Sequence, residues 1–227
     1  MAKMTQSFKP PNYIEMIVFD MAGTTVTDTI NGLPLVTHAI RLTFEQFDKY
    51  VNADEMNEMR GMNKRKVIEN FKQKYRIDQS VDDLYILFNK HLDSAVKVIN
   101  TEIEGTTKLF SLLKSKSIKI VVESGFNSTI VNQIIRNLKW NNLIDFVLYE
   151  VARPSPEPIK CVMSHFNISN PTKVIKVGDS ILDIEEGKNV GCHTIGVLTG
   201  TQTREQLMSA NPDAVINSVT GMLEWFV

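Results

Sequence analysis

From Ile14 to Phe19 the chain is mostly apolar and in part β-branched, and a carboxylate, Asp20, stands where the run ends. Such a run predicts a buried strand. From Leu33 to Asn100 the pattern lengthens to the helical period. Leu35, Ala39, Leu42, Thr43 and Phe47 recur on one face, and Leu84, Leu87, Phe88, Leu92 and Ala95 on another, with no strand signal between them. Asn31-Gly32 and Ile99-Asn100-Thr101 flank this region as hinges.

Beyond it, strands and helices alternate. Strands are predicted at Ile118–Val122, Phe146–Leu148, Val174–Val177 and His193–Val197, and helices at Ser128–Leu138, Ile159–Phe166 and Ile181–Asn189. This alternation predicts an α/β fold, a doubly wound parallel sheet with helices on both faces. Residues 1–30 and 101–227 then form the core, and residues 31–100 a helical cap inserted after the first strand.

Composition narrows the partners. With 227 residues, 43% hydrophobic and 22% charged, the chain can bury one substantial core. A net charge of −1 gives no reason to expect nucleic acid or an anionic membrane as partner. No apolar run approaches the ~18 residues of a membrane span. The start, MAKMTQSFKPPNY, lacks an apolar signal core and reads as a loose leader. Cys161 and Cys192 have no ligand spacing and read as reduced, buried thiols of a cytoplasmic protein.

Candidate chemistry gathers at the strand ends, where open parallel sheets bind ligands. The first strand ends in Asp20 and the second runs into Glu123-Ser124-Gly125-Phe126-Asn127. The third leads to Arg153-Pro154, and the fourth to Gly178-Asp179-Ser180, with Asp183 following. Carboxylates suit a hard cation such as Mg²⁺. A guanidinium and a helix N-terminus near Ser124 suit phosphate oxygens. Each piece alone has an ordinary structural explanation, as a cap, a turn or a surface loop; their common placement is what points to phosphoryl chemistry.

The stretches VFDMAGTT, ESGF, ARPSPEP and VGDSILD carry a resemblance to the haloacid dehalogenase superfamily of phosphohydrolases. Within it the chain is most similar to the phosphonatase branch, through D-x-A-G-T-T, the arginine of R-P-x-P in place of the more usual lysine, the helical cap, and the tail GVLTGTQTREQL. The resemblance implies that Asp20 is a nucleophile forming an aspartyl-phosphate. It implies that Asp20, the carbonyl of Ala22, Asp179 and Asp183 hold Mg²⁺. Ser124 would bind a phosphoryl oxygen with Gly125 and Thr24 beside it, and Arg153 would balance its charge. The expected partner is a small phosphorylated or phosphonate metabolite, and the branch allows a homodimer.

Ala22 stands where phosphatases of the superfamily carry a second aspartate, and an alanine neither gives nor takes a proton. Splitting a carbon–phosphorus bond removes the need for that acid if a lysine forms an imine with a neighbouring aldehyde. In RGMNKRKVI the lysine three residues after the glycine is Lys64. Asn63 is expected to cap a helix there, and Arg65 and Lys66 to add like charge, both favouring a neutral amine. The segment departs from the branch at Arg60 and Val67, where methionine and histidine are usual. Phosphonoacetaldehyde is the leading substrate. The alternatives are a phosphate monoesterase of the phosphoglycolate-phosphatase kind, with another group replacing the acid, and a non-catalytic phosphometabolite-binding protein. His38, on the first cap helix, is within reach as an acid–base group but reads first as a surface residue, and His91, His165 and His193 lack metal-ligand spacing and read as structural.

Overall fold

The computed structural model describes residues 8–11, 13–27, 29–30, 32–59, 62–96, 101–200 and 202–226. The expected hinge residues Asn31, Ile99 and Asn100, the Arg60-Gly61 step before Lys64, and most of the expected leader lie outside them.

Strand β1 (Met16–Asp20) is followed by a two-residue antiparallel pair, β2 (Thr29–Ile30) and β3 (Leu33–Pro34). Four helices come next: α1 (Leu35–Glu45), α2 (Ala53–Glu58), α3 (Lys64–Tyr75) and α4 (Val81–Val96). Alternation then begins with α5 (Thr106–Ser115), β4 (Lys119–Glu123), α6 (Ser128–Asn137), β5 (Phe146–Leu148) and α7 (Glu157–His165). It continues with β6 (Val174–Gly178), α8 (Ile181–Val190), β7 (His193–Val197), α9 (Arg204–Ser209) and β8 (Ala214–Ile216).

Among the described residues one six-stranded sheet runs β5-β4-β1-β6-β7-β8. Every pairing in it is parallel. Its central strands read as continuous apolar runs because both faces are covered. Ile17, Phe19, Ile120, Val122, Ile175 and Val177 pack on one side with Phe110 and Leu113 of α5. Met16, Val18, Val121 and Val174 pack on the other with Ile159 and Val162 of α7. The expected doubly wound α/β architecture is therefore present. Among the described residues no helix is long and apolar enough to cross a membrane.

In the helical segment α1 and α3 both pack on α4, and their buried apolar residues are continuous with the cluster on one face of the sheet. Phe44 of α1 meets Phe71 of α3, with ring centroids 5.7 Å apart. The buried face of α1 is Leu35, Thr37, Ala39, Ile40, Thr43 and Phe44 rather than the expected set with Leu42 and Phe47. The helix stops at Glu45 and the chain turns through Asp48 at φ 54°, so Phe47 falls beyond the face it was assigned to. Leu33 and Pro34 form a strand where none was expected, since two residues cannot display an alternating pattern. Cys192 is buried as expected, but Cys161 is exposed, because α7 turns Ile159, Val162 and Met163 to the sheet and the cysteine away from it.

Trp140, fully buried, meets Phe110 edge-on at 5.0 Å, and its indole N–H donates to Thr107 Oγ1 at 2.8 Å. Trp140→Ala removes both contacts and leaves a cavity. Urea denaturation should show a loss of roughly 3–5 kcal/mol, as for other large-to-small core changes.

Candidate active site

Asp20 ends β1 at the carboxyl edge of the sheet and is 5% exposed. The chain leaves it through a tight turn in which Val26 N–H donates to the Met21 carbonyl and Gly23 N–H to the Val26 carbonyl, both at 2.9 Å. Gly23 takes φ +84°, a conformation that disfavours any side chain. Thr24 Oγ1 donates to Asp20 Oδ2 at 3.4 Å, and Thr25 Oγ1 lies 3.2 Å from the Asp20 carbonyl. Both threonines thus meet the aspartate.

The neighbouring strands deliver the rest. At the end of β4, Ser124 is buried and its Oγ accepts the Phe126 N–H at 3.1 Å. Asn127 caps α6 by accepting the Ile130 N–H at 3.1 Å, so the helix N-terminus faces this edge. Beyond β6, Ser180 and Asp183 form a reciprocal cap at the start of α8, with Ser180 Oγ 2.5 Å from Asp183 Oδ2. The loop after β7 lies directly on Asp179. A Cβ on Gly200 would come within 1.7 Å of Asp179 Oδ2, so only glycine lets that loop pass.

Arg153 joins these strands. Its Nη2 lies 2.6 Å from Asp20 Oδ1 and its Nε 2.6 Å from Glu123 Oε1. Nε is also 3.1 Å from Asp183 Oδ1 and 3.6 Å from Glu186 Oε2. Lys176, fully buried in β6, approaches the same carboxylates: it contacts Glu123 Oε1 and lies 2.9 Å from Asp183 Oδ1 and 3.3 Å from Glu186 Oε2.

Burial and charge divide the acids. Burial, the largest influence, raises the Asp20 carboxyl above its ordinary range against the pull of Arg153. Burial also pushes Glu186 up to about 9, so it carries a proton at neutral pH. For Asp183 burial is outweighed by Arg153 and Lys176, which hold it at about 2. Glu123 is likewise lowered against burial, chiefly by Lys176. One proton on Glu186 therefore relieves a charge that two cations could not balance.

The helical segment supplies the opposite wall. Asn63 Oδ1 caps α3 by accepting the N–H groups of Arg65 at 3.0 Å and Lys66 at 3.4 Å, as expected, so Lys64 lies in the first turn. The Lys64 side chain reaches the core: its Nζ is 3.6 Å from where a Cβ on Gly125 would stand. The expected like charge of its neighbours is cancelled, because Arg65 pairs with Asp82, and Lys66 with Glu69 at 2.7 Å. Lys64 then shares a cavity of about 50 Å³ with Asp20, Ala22, Ser124, Gly125, Arg153, Asp179 and Asp183. Pro34, Val36, Met56, Met59 and Val67 make the rest of its helical wall mainly apolar. Thr24, just outside, touches Asp20. None of the four histidines lines the cavity.

Three residues given no role from sequence belong here: Glu123, Lys176 and Glu186. The available signal was a lysine inside the apolar run Val174–Gly178, at a position that a doubly covered strand reserves for the core.

Oxygens of Asp20, Asp179 and Asp183 all lie within 4.8 Å of one another, as do those of Glu123, Asp183 and Glu186. The first set opens on the cavity and offers hard oxygen donors of the kind that hold a divalent cation. The second is already met by the Lys176 ammonium.

The Glu186 proton makes stability depend on pH. The folded chain holds it to about pH 9, whereas the unfolded carboxyl loses it near its ordinary 4.5. Between those values the folded state binds more protons, so stability falls as pH rises through the window. Thermal melting of the metal-free protein from pH 5 to 9 should show this fall, and Glu186→Gln should flatten it. An unchanged slope in the variant would contradict the assignment.

Comparison with known proteins gives the family and the fold. The family model described as haloacid dehalogenase-like hydrolase matches residues 17–197. A phosphonoacetaldehyde hydrolase of Parabacteroides distasonis is 27% identical over 205 residues, covering 83% of this chain and 77% of that protein. The crystal structure of a phosphonoacetaldehyde hydrolase like protein from Oleispira antarctica superposes with TM-score 0.80 at 21% identity, covering 97% of this chain and 94% of that one. A β-phosphoglucomutase from Clostridium difficile gives 0.77 at 19% identity, covering 94% and 97%. Those two structures share the fold. With the family match reaching from the first core strand through β7, including the helical segment, the chain belongs to the haloacid dehalogenase-like hydrolases.

Proposed function

We propose that the chain is a Mg²⁺-dependent, phosphonatase-like hydrolase of a small organophosphonate or organophosphate, acting through an aspartyl-phosphate on Asp20. The observation that carries this reading is the company Asp20 keeps: the Lys64 amine enters its cavity from the helical wall, while Ala22 brings no acid to it. Phosphonoacetaldehyde is the leading substrate, and the name of the Parabacteroides relative supports it. Residues 31–100 act as a cap that admits substrate and then excludes water. The partners in this reading are small phosphorus-containing metabolites, met in the cytoplasm.

Buried oxygens from three aspartates, within 4.8 Å of one another, fit a hard divalent cation. Mg²⁺ held by Asp20, Asp179, Asp183 and the Ala22 carbonyl would supply positive charge against the phosphoryl oxygens. Ser124, the backbone at Gly125 and Arg153 bind and orient the phosphonyl group, with the α6 N-terminus behind them. Lys64 condenses with the aldehyde, releasing water and forming an imine. An Asp20 oxygen attacks phosphorus, and the carbon–phosphorus bond breaks with its electron pair passing through carbon to the imine nitrogen. The resulting enamine takes a proton at carbon, and hydrolysis of the imine frees acetaldehyde and Lys64. Water then splits the aspartyl-phosphate to phosphate and Asp20. No alkoxide leaves in this sequence, so the cleavage step needs no acid at position 22.

Phosphate release with Mg²⁺ should favour phosphonoacetaldehyde over a panel of small phosphate monoesters. Lys64→Arg, which keeps the charge but forms no imine, should abolish that turnover with the melting temperature preserved, and borohydride should trap the aldehyde on Lys64 of the wild type. Retained turnover in the variant, or preference for an ester, would favour a phosphate monoesterase instead.

A further inference from the structure

Three oxygens, Glu123 Oε1, Asp183 Oδ1 and Glu186 Oε2, lie between two cationic nitrogens. Arg153 Nε is 2.6, 3.1 and 3.6 Å from them in that order. Lys176 Nζ approaches the same three atoms, in contact with the first and 2.9 and 3.3 Å from the others. All four flanking residues are essentially shut off from solvent: Glu123, Lys176 and Glu186 are 0% exposed and Asp183 is 1%. The cavity wall does not include Glu123, Lys176 or Glu186.

The mounting of these groups gives the cluster a direction. Glu123 is the register partner of Asp20 across the β1–β4 pairing. Lys176 stands on β6, the strand that pairs with β1 on its other edge. The two strands that flank the aspartate's own strand therefore each send one anchor to the same point. Arg153 comes from the loop after β5 and has no strand to hold it. A guanidinium is planar, so holding the Nε edge against Glu123 fixes the direction of Nη2, which lies 2.6 Å from Asp20 Oδ1. A lysine has only one nitrogen and could not serve both carboxylates in this way.

We propose that Glu123, backed by the Lys176 ammonium, is a positioning residue that holds Arg153 side-on to Asp20 so that the guanidinium meets the phosphoryl group in one fixed orientation. The premise is the role given to Arg153 in the proposed function. Glu123 touches neither substrate nor metal in this arrangement and acts through Arg153. Lys176 fills the place of a cation within the inner three-carboxylate set and keeps Glu123 from turning away.

A double-mutant cycle tests this. Glu123→Gln, Arg153→Lys and the double variant are compared with wild type for kcat and KM on phosphonoacetaldehyde, or on p-nitrophenyl phosphate if that is the better substrate. Glu123→Gln should lower kcat about 10–100-fold, the usual effect of losing a partner that orients a functional group, with a much smaller change in KM. In the Arg153→Lys background it should add almost nothing, because the guanidinium it orients is already gone. Equal losses in both backgrounds would overturn the proposal. The same cycle on orthovanadate binding, followed by calorimetry, reads the arrangement without turnover. A wild type that binds vanadate but releases no phosphate contradicts the proposed function alone, and the vanadate cycle then decides this inference. Vanadate affinity that ignores Glu123→Gln, or a wild type that binds no vanadate, overturns it. If Glu123→Gln does not fold by circular dichroism, Glu123→Asp takes its place, keeping the charge opposite Lys176 while withdrawing the reach to Arg153. Failure of both to fold would assign Glu123 a purely structural role and overturn the proposal.

Discussion

Arg153 bridges Asp20 and Glu123, each at 2.6 Å, in a setting closed to solvent. Much of the structure exists to make that bridge tolerable. Removing charges from water is costly unless each finds a partner. Here the partners come from β4, β6 and α8, elements that lie far from Arg153 in sequence. The topology of the sheet brings them together, with β1 between β4 and β6. Loss of one member would leave the others buried and unpaired, which is why the cluster demands completeness.

The site is thus two-layered. An inner layer of Glu123, Glu186 and Lys176 is sealed beneath the sheet edge. An outer layer of Asp20, Ser124, Asp179 and the Lys64 amine opens on the cavity. Asp183 and Arg153 belong to both. Asp183 gives one oxygen to Ser180 at the head of α8 and turns the other toward the two cations. Helix start, charge cluster and candidate cation site consequently share one carboxylate. The helical wall contributes mainly apolar surface, with the Thr37 hydroxyl and the Lys64 amine as its polar groups.

Sequence made the sheet legible where its strands are covered on both faces. Val174–Gly178 and His193–Val197 are such runs, and they lie where the pattern put them. Of the two edge strands, each three residues long and half-buried, Phe146–Leu148 was read from its place between two predicted helices, whereas Ala214–Ile216, past the last predicted helix, went unread. The outer site layer was legible because Asp20, Ser124, Arg153 and Asp179 each follow a strand, and the edge of a parallel sheet is a physical address. The inner layer was not. Lys176 meets a partner 53 residues away, and nothing local announces it beyond a charge in an apolar run. The charge expected around Lys64 also depended on distant residues, since Asp82, 17 positions on, takes up Arg65.

The claim on which the chemistry turns is that Asp20 receives the phosphoryl group. Acid quenching during turnover, followed by proteolysis and mass spectrometry, tests it directly. A phosphoryl group on the peptide carrying Asp20, absent from Asp20→Asn, is the predicted result. Full turnover with no phosphoryl on Asp20 at any quench time, or with the label on another residue, would contradict it.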